Sequence, residues 1–192
     1  YDFSQGSQEI YRFLPMMNLQ QFAQYQNDVI GVVGLPKNPL FADPAKLGTG
    51  TDWQDAIFRR GSITSHNLSF SGGKDKTTYY ISAGYFNQKG ILTGSDFKRY
   101  TARVSFESQL KSWIKTGFSV NGSRSTQNIT LSDDPNSIIW NGLLQNPLIP
   151  IKNPDGTFTG SGFQSGGLTY YVDNPVARSF YTGNQSISSY VF

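Results

Sequence analysis

Thr77-Thr78-Tyr79-Tyr80-Ile81-Ser82-Ala83-Gly84-Tyr85 is the stretch whose reading decides the fold. Tyr79, Ile81, Ala83 and Tyr85 alternate with Thr78, Tyr80, Ser82 and Gly84. Side chains on a strand point to opposite faces in turn, so this period of two makes one apolar and one hydrophilic face. The same period runs outward on both sides. In residues 65–72, Leu68 and Phe70 alternate with Asn67, Ser69 and Ser71. In residues 97–110, Tyr100, Ala102, Val104 and Phe106 alternate with Arg99, Thr101, Arg103, Ser105 and Glu107. In residues 112–125, Ile114, Phe118 and Val120 alternate with Lys115, Gly117, Ser119 and Asn121. The pattern predicts a four-strand meander over residues 62–125.

A soluble sandwich shows the same alternation, and two further observations separate the readings. Soluble strands cluster near about 5–6 residues, whereas a strand crossing hydrocarbon needs about 9–11. Three of the four segments are that long, and the first extends upstream into Ser62 and Ile63. The connections at residues 72–76 and 109–112 are tight and fall on one side of the sheet. The longer connection at 89–96, the segment 126–183 and the stretch before residue 62 fall on the other. Short turns on one side and long loops on the other is the pattern of an outer-membrane barrel. The fold class is therefore all-β: an antiparallel meander forming part of a transmembrane outer-membrane β-barrel, with short helices in external loops. Residues 1–10 read as a strand, 11–61 as an external loop with short helices, 126–183 as a long external loop and 184–192 as the start of the next strand. One helix is expected over residues 18–27 with Asn18 as its cap. A second is expected over residues 53–60, capped by Thr51 or Asp52 and stopped by Gly61.

Composition agrees. Charged residues make up 15% of the 192, against about 25% in ordinary domains, and aromatics make up another 15%. Few charges and many rings suit a surface with lipid on one side and water on the other. The net charge of +3 carries no basic cluster, so no nucleic-acid partner is expected. The absence of cysteine excludes disulfides, thiol catalysis and Cys-based metal sites within the chain. The residues from Tyr1-Asp2-Phe3 onward show no leader pattern, and the chain reads as a piece of something larger.

The run Gly50-Thr51-Asp52-Trp53-Gln54-Asp55-Ala56-Ile57-Phe58 is followed by His66-Asn67-Leu68-Ser69-Phe70-Ser71-Gly72-Gly73, by residues 77–85, by Gln88-Lys89-Gly90-Ile91 and by Ser95-Asp96-Phe97-Lys98-Arg99-Tyr100. In order and spacing these resemble the first barrel strands and loops of SusC/RagA-family TonB-dependent outer-membrane transporters. Asn146-Pro147 and Asn153-Pro154-Asp155-Gly156 are similar to that family's next external loop. The resemblance implies localisation in the bacterial outer membrane and active uptake of large nutrients, oligosaccharides or peptides. It implies energy from TonB through an N-terminal region upstream of Tyr1, and a SusD-like surface lipoprotein as lid. The plug would also lie upstream. The rival reading is a secreted β-sandwich module that binds a glycan.

No catalytic set emerges, and no cofactor or metal is expected. His66 is the lone histidine and reads as structural, near a membrane boundary. Asp133 and Asp134 precede Pro135 and read as a turn rather than an acid–base pair. Asn153-Pro154-Asp155-Gly156 is a strong turn signal. The long loop holds Trp140, Phe158, Phe163, Tyr170, Tyr171, Phe180 and Tyr181 among Asn, Gln and Gly. Most such rings pack the loop itself. Trp140, Tyr170 and Tyr171 are the candidates for contact with cargo or lid, because binding residues concentrate on long loops of rigid scaffolds.

Overall fold

The computed structural model describes residues 1–130, 137–160, 162–165, 168–171, 173–181 and 185–191. Asp133, Asp134 and Pro135 lie outside the described residues. In chain order the elements are β1 (Asp2–Gln8), α1 (Leu19–Val33), α2 (Trp53–Ile57), β2 (Gly61–Lys74), β3 (Thr77–Lys89), β4 (Asp96–Lys111) and β5 (Ile114–Ile129). They continue with α3 (Ile138–Leu144), β6 (Gly162–Ser165), β7 (Leu168–Tyr171), α4 (Pro175–Tyr181) and β8 (Gln185–Val191). The chain divides into two units. One comprises Tyr1–Glu9, Arg60–Ile129 and Asn184–Phe192; the other comprises Ile10–Arg59 and Thr130–Gly183.

The first unit is a single antiparallel sheet of order β1-β2-β3-β4-β5-β8. The expected four-strand meander is β2 to β5, and it runs further than the alternation suggested, from Gly61 to Ile129. Its tight connections are the two-residue turns Asp75-Lys76 and Ser112-Trp113, with Asp75 at φ 54°. At the opposite end, β1 and β2 stop at the partners Gln8 and Gly61, β3 and β4 at Lys89 and Asp96, and β5 and β8 at Ile129 and Gln185.

Directly opposed residues on paired strands share a face. The register joins Phe70 to Ile81, Ile81 to Val104 and Val104 to Val120. It likewise joins Tyr79 to Phe106 and Phe106 to Phe118, and Tyr85 to Tyr100. Tyr79, Ile81, Ala83, Tyr85, Tyr100, Ala102, Val104, Phe106, Phe118 and Val120 thus occupy one face, and Ile114 follows by even steps along β5. Leu68 opposes Ala83 and adds to the band. The register shifts once, between Gln109 and Lys111. Leu110 is the extra residue of that bulge, next to the Ser112-Trp113 turn.

The second unit holds the buried apolar residues: Leu19, Ala23, Phe41, Trp53, Ile57 and Ile138. Leu19, Ala23 and Phe41 form a small core against which Phe22, Leu47 and Leu148 pack. Helix α1 starts where expected. The Asn18 side chain accepts from the Gln21 N–H while the Gln21 side chain accepts from the Asn18 N–H, a full capping box. It then runs to Val33, six residues past the expected end, and stops at Gly34 in the left-handed region (φ 70°). Helix α2 is shorter than expected. Asp52 caps it by accepting from the Gln54 and Asp55 N–H groups, and it ends at extended Phe58. Gly61 is not its stop but the first residue of β2, where a Cβ would collide with the Lys89 carbonyl of β3. The segment 126–183, expected as a long external loop, carries α3, the β6–β7 hairpin and α4.

Candidate functional site

Four successive rows of the sheet make the apolar band. They start at Tyr79–Phe106–Phe118, pass through Phe70–Ile81–Val104–Val120 and Leu68–Ala83–Ala102, and finish at Phe3–His66–Tyr85–Tyr100. From Tyr79 to Tyr85 this spans about 20 Å along the strand. The rings at the last row form a chain: Phe3 to His66 at 4.9 Å, His66 to Tyr85 at 6.1 Å and Tyr85 to Tyr100 at 5.1 Å. Tyr1 shares a hydrogen bond of 2.8 Å with His66 Nδ1. The lone histidine is thus part of an aromatic row. At the first row the Tyr79 ring lies over Gly72, whose Cβ would sit 2.5 Å from the Tyr79 hydroxyl. A glycine there gives the ring its seat.

Beyond both rows this face turns polar at once. Thr64, Asn87, Lys98 and Thr126 line one border, and Lys74, Thr77, Ser108 and Thr116 the other. Among the described residues of the sheet unit nothing covers the band: Phe70, Phe118 and Val120 are 59%, 56% and 58% exposed. A sandwich would bury these residues under a second sheet. An uncovered apolar band edged by aromatic rings is what a lipid-facing wall requires.

The opposite face is hydrophilic and charged. Arg99 lies over the Phe86 ring and Arg103 over the Tyr80 ring, at 5.7 and 5.8 Å. Glu107 pairs with Lys115 across β4 and β5. Such exposed pairs contribute little to stability, so their weight is in setting the character of a wet surface.

In the second unit, the run Gly50 to Gln54 works as a clasp. Gly50 takes φ 74°, and a Cβ on it would lie 2.5 Å from the Pro147 carbonyl oxygen and 2.7 Å from the Leu19 Cβ. Thr51 donates from its backbone to the Pro147 carbonyl (2.9 Å) and from its hydroxyl to that of Ile149 (2.8 Å). The buried Trp53 indole N–H donates to the Asn146 carbonyl at 3.1 Å. The Gln54 amide pairs in both directions with the Leu14 backbone, at 2.8 and 3.0 Å. These bonds tie residues 14 and 146–149 to one short helix. Beside the clasp opens a cleft of about 1120 Å³. Leu14, Met16, Met17, Tyr25, Asn146 and Leu148 are among its lining residues.

Of the sequence candidates, Trp140 stands on α3, half exposed, with its N–H held by the capping Ser137 hydroxyl. It does not line the cleft. Tyr170 and Tyr171 lie on β7, opposite Phe163 and Gly162 of β6; their side chains lie outside the described residues. The sequence reading missed Met16 and Met17, although adjacent flexible thioethers in a Pro-bounded loop are a signal for an adaptable surface. Asp155 holds its turn by accepting from the Thr157 hydroxyl (2.6 Å) and N–H (2.9 Å). Those bonds keep its carboxyl below the ordinary value of 3.8. Among the described residues there is no cluster of three or more metal-ligating side chains, and no helix is long and apolar enough to cross a membrane.

No protein-family model matches the chain. It is 36% identical over 157 residues to the TonB-dependent receptor SusC of Bacteroides thetaiotaomicron, a match covering 77% of this chain. It is also 36% identical over 133 residues to the TonB-dependent receptor P3 of Formosa agariphila, covering 66%. The chain belongs to the SusC/RagA-type TonB-dependent receptors. It spans 15% and 13% of the lengths of those two receptors. The fold agrees with the solved RagAB peptide importer in its open-open state: TM-score 0.65 at 22% identity, over 92% of this chain and 23% of that one. The six-stranded sheet is accordingly a stretch of TonB-dependent receptor barrel wall. The two parts of the resemblance, residues 50–58 and 146–147, meet physically in the clasp. In this TonB-dependent receptor segment that motif holds loops rather than presenting reactive groups.

Proposed function

We propose that this chain is part of an outer-membrane active transporter that imports large nutrients, oligosaccharides or peptides, using energy delivered by TonB. The observation that carries this reading is the four-row apolar band, bounded by polar rows and backed by a charged opposite face. A strand wall of that kind separates lipid from a wet lumen, and a wide barrel of about 22 strands leaves room for a plugged transport path. The long connections at one end of the sheet are the external loops, where a SusD-like lipoprotein seats as lid. The whole protein performs transport rather than covalent chemistry. Trp140, Tyr170 and Tyr171 contact cargo or lid. Support for a peptide cargo comes from the RagAB importer, and for an oligosaccharide from the amide-rich, ring-rich loop.

The test is uptake. The gene encoding the full protein is deleted, and cells are supplied with labelled oligosaccharide and peptide mixtures. Loss of TonB-dependent accumulation of one mixture, restored by the intact gene, is expected. Unchanged accumulation of both, with the protein confirmed in the outer membrane of the complemented strain, would contradict the proposal.

A further inference from the structure

We propose that Arg99 and Arg103 make the hydrophilic face of β4 a docking strip for acidic peptide cargo. The inference rests on reading this sheet as the wall of an importer, and deepens it by naming a cargo class. Arg99 opposes Phe86 and Ser125, Thr101 opposes Gly84 and Ser123, and Arg103 opposes Ser82 and Asn121. All three leave the strand on one face, and the two arginines stand about 13–14 Å apart along it. Arg103 lies level with the middle of the apolar band behind it, between the rows of Val104 and Ala102. Arg99 lies at the long-loop border, between the rows of Tyr100 and Lys98. Cargo entering from the long-loop end meets Arg99 first.

Both cations are placed but not neutralised. The Arg99 guanidinium is held 5.7 Å from the Phe86 ring centroid, and that of Arg103 5.8 Å from the Tyr80 centroid. A ring steadies a guanidinium yet leaves N–H donors at its edge, in the fork that matches a carboxylate. Both residues are exposed. On this face β1 to β5 carry two carboxylates, Asp2 and Glu107. Glu107 is paired with Lys115. Asp2 stands on β1, three strands from β4 and about 14 Å away. Among the described residues of the sheet, then, nothing supplies the charge complement of Arg99 and Arg103.

Two observations favour a peptide over a glycan. A sugar ring docks flat against an open aromatic face. On this face of β1 to β5 the rings are Tyr80, Phe86 and Phe97, and each is engaged: the first two by the arginines, and Phe97 by the Phe86 ring at 5.9 Å. An extended peptide has the rise of the strand it lies along, so acidic residues four apart in it match the spacing of Arg99 and Arg103. Between the arginines the wall is small and polar. Thr101 and Asn67 lean over Gly84, where a Cβ would lie 2.5 Å from the Thr101 hydroxyl and 2.9 Å from the Asn67 side-chain oxygen. A hydroxyl and an amide suit the N–H and C=O groups of a peptide backbone.

The experiment uses the full-length receptor in a neutral detergent. Fluorescence anisotropy follows a labelled Gly/Ser peptide with two glutamates four residues apart, its counterpart with glutamine in their place, and labelled oligogalacturonate. Wild type is expected to bind the glutamate peptide more tightly than the other two. Arg99→Gln with Arg103→Gln is expected to lose roughly tenfold of the preference for glutamate over glutamine, the size of two solvated ion pairs. Arg99→Lys with Arg103→Lys, which keeps the charges, is expected to retain part of it. Lys74→Gln with Lys98→Gln, an equal change of charge on the lipid-facing side, is expected to leave it intact. Should the glutamine pair fail to assemble, each single change to glutamine is expected to lose about threefold. Equal binding of the two peptides by wild type would overturn the proposal, as would tighter binding of oligogalacturonate. So would an unchanged preference in the assembled glutamine variants, the outcome if the arginines serve the plug instead. Failure of the importer reading itself shows differently, as unchanged uptake in the deletion strain.

Discussion

Val104→Arg and Ser105→Arg place the same side chain on adjacent residues of β4 and should give opposite outcomes. Val104 lies between Ile81 and Val120 in the second row of the apolar band. Ser105 lies between Tyr80 and Ser119 on the charged face. The band spans about 20 Å along the strand, and Val104 is less than one row pair from its centre. An arginine there faces hydrocarbon and costs about 2–4 kcal/mol. That corresponds to roughly 30- to 1000-fold in the folded-to-unfolded ratio. Arginine at Ser105 remains hydrated beside Arg103 and should cost within about 1 kcal/mol. Both are made in the full-length receptor. Heat-modifiable migration reports assembly, and urea unfolding in bilayers reports stability. Val104→Arg is expected to deplete the folded form while Ser105→Arg resembles wild type. Equal stability of the two, or the reverse order, would refute the assignment of faces.

Gly50→Ala should loosen the clasp by about 1–3 kcal/mol, since the methyl meets the Pro147 carbonyl and the Leu19 Cβ at a positive φ; faster limited proteolysis within residues 10–59 is the readout, and unchanged cleavage would count against it. Asp155 is held below its ordinary pKa by the Thr157 hydroxyl and N–H, so its contribution is present above pH 3.8 and fades as pH falls through the lower folded value. Hydrogen exchange across residues 153–159, corrected for intrinsic rates, should therefore quicken only in that acid window. Asp155→Asn should remove the acid dependence, and an Asp155→Asn profile identical to wild type would contradict it. The triple change of Trp140, Tyr170 and Tyr171 to alanine should weaken cargo binding or lid co-purification, by about 1–3 kcal/mol per ring engaged at a buried contact. Wild-type behaviour in both would remove these rings from the site.

The sheet was legible because its signal is local. Tyr79, Ile81, Ala83 and Tyr85 state their face by alternation alone, and the tight turns after Lys74 and Lys111 leave little freedom in pairing. The bulge at Leu110 was not legible, because an extra residue is visible only against the partner strand. The ends of β2 and β5 were missed for a related reason. Gly61 and residues 126–129 lack apolar alternation, and pairing with β1, β4 and β8 carries them. In the loops, Asn18 announced the start of α1, but Val29, Val32 and Val33 favour strands locally and hid its last turns. Ser137 and the pair Asn174-Pro175 are helix-start signals that could have revealed α3 and α4. The clasp was quotable as a motif yet not interpretable. Its partners at Leu14, Asn146, Pro147 and Ile149 are distant in sequence, and nothing in Gly50 to Gln54 names them.

The central claim is that successive residues of β4 face lipid and water in turn. This segment has no cysteine, so once any cysteine elsewhere in the full-length receptor is replaced, single cysteines can be introduced one at a time at residues 99–106 and spin-labelled in bilayers. Collision with oxygen, which concentrates in hydrocarbon, is compared with collision with a polar nickel chelate. Labels at Tyr100, Ala102, Val104 and Phe106 are expected to favour oxygen, and labels at Arg99, Thr101, Arg103 and Ser105 the chelate, giving an oscillation of period two. A flat profile, or one with the two sets exchanged, would contradict the account.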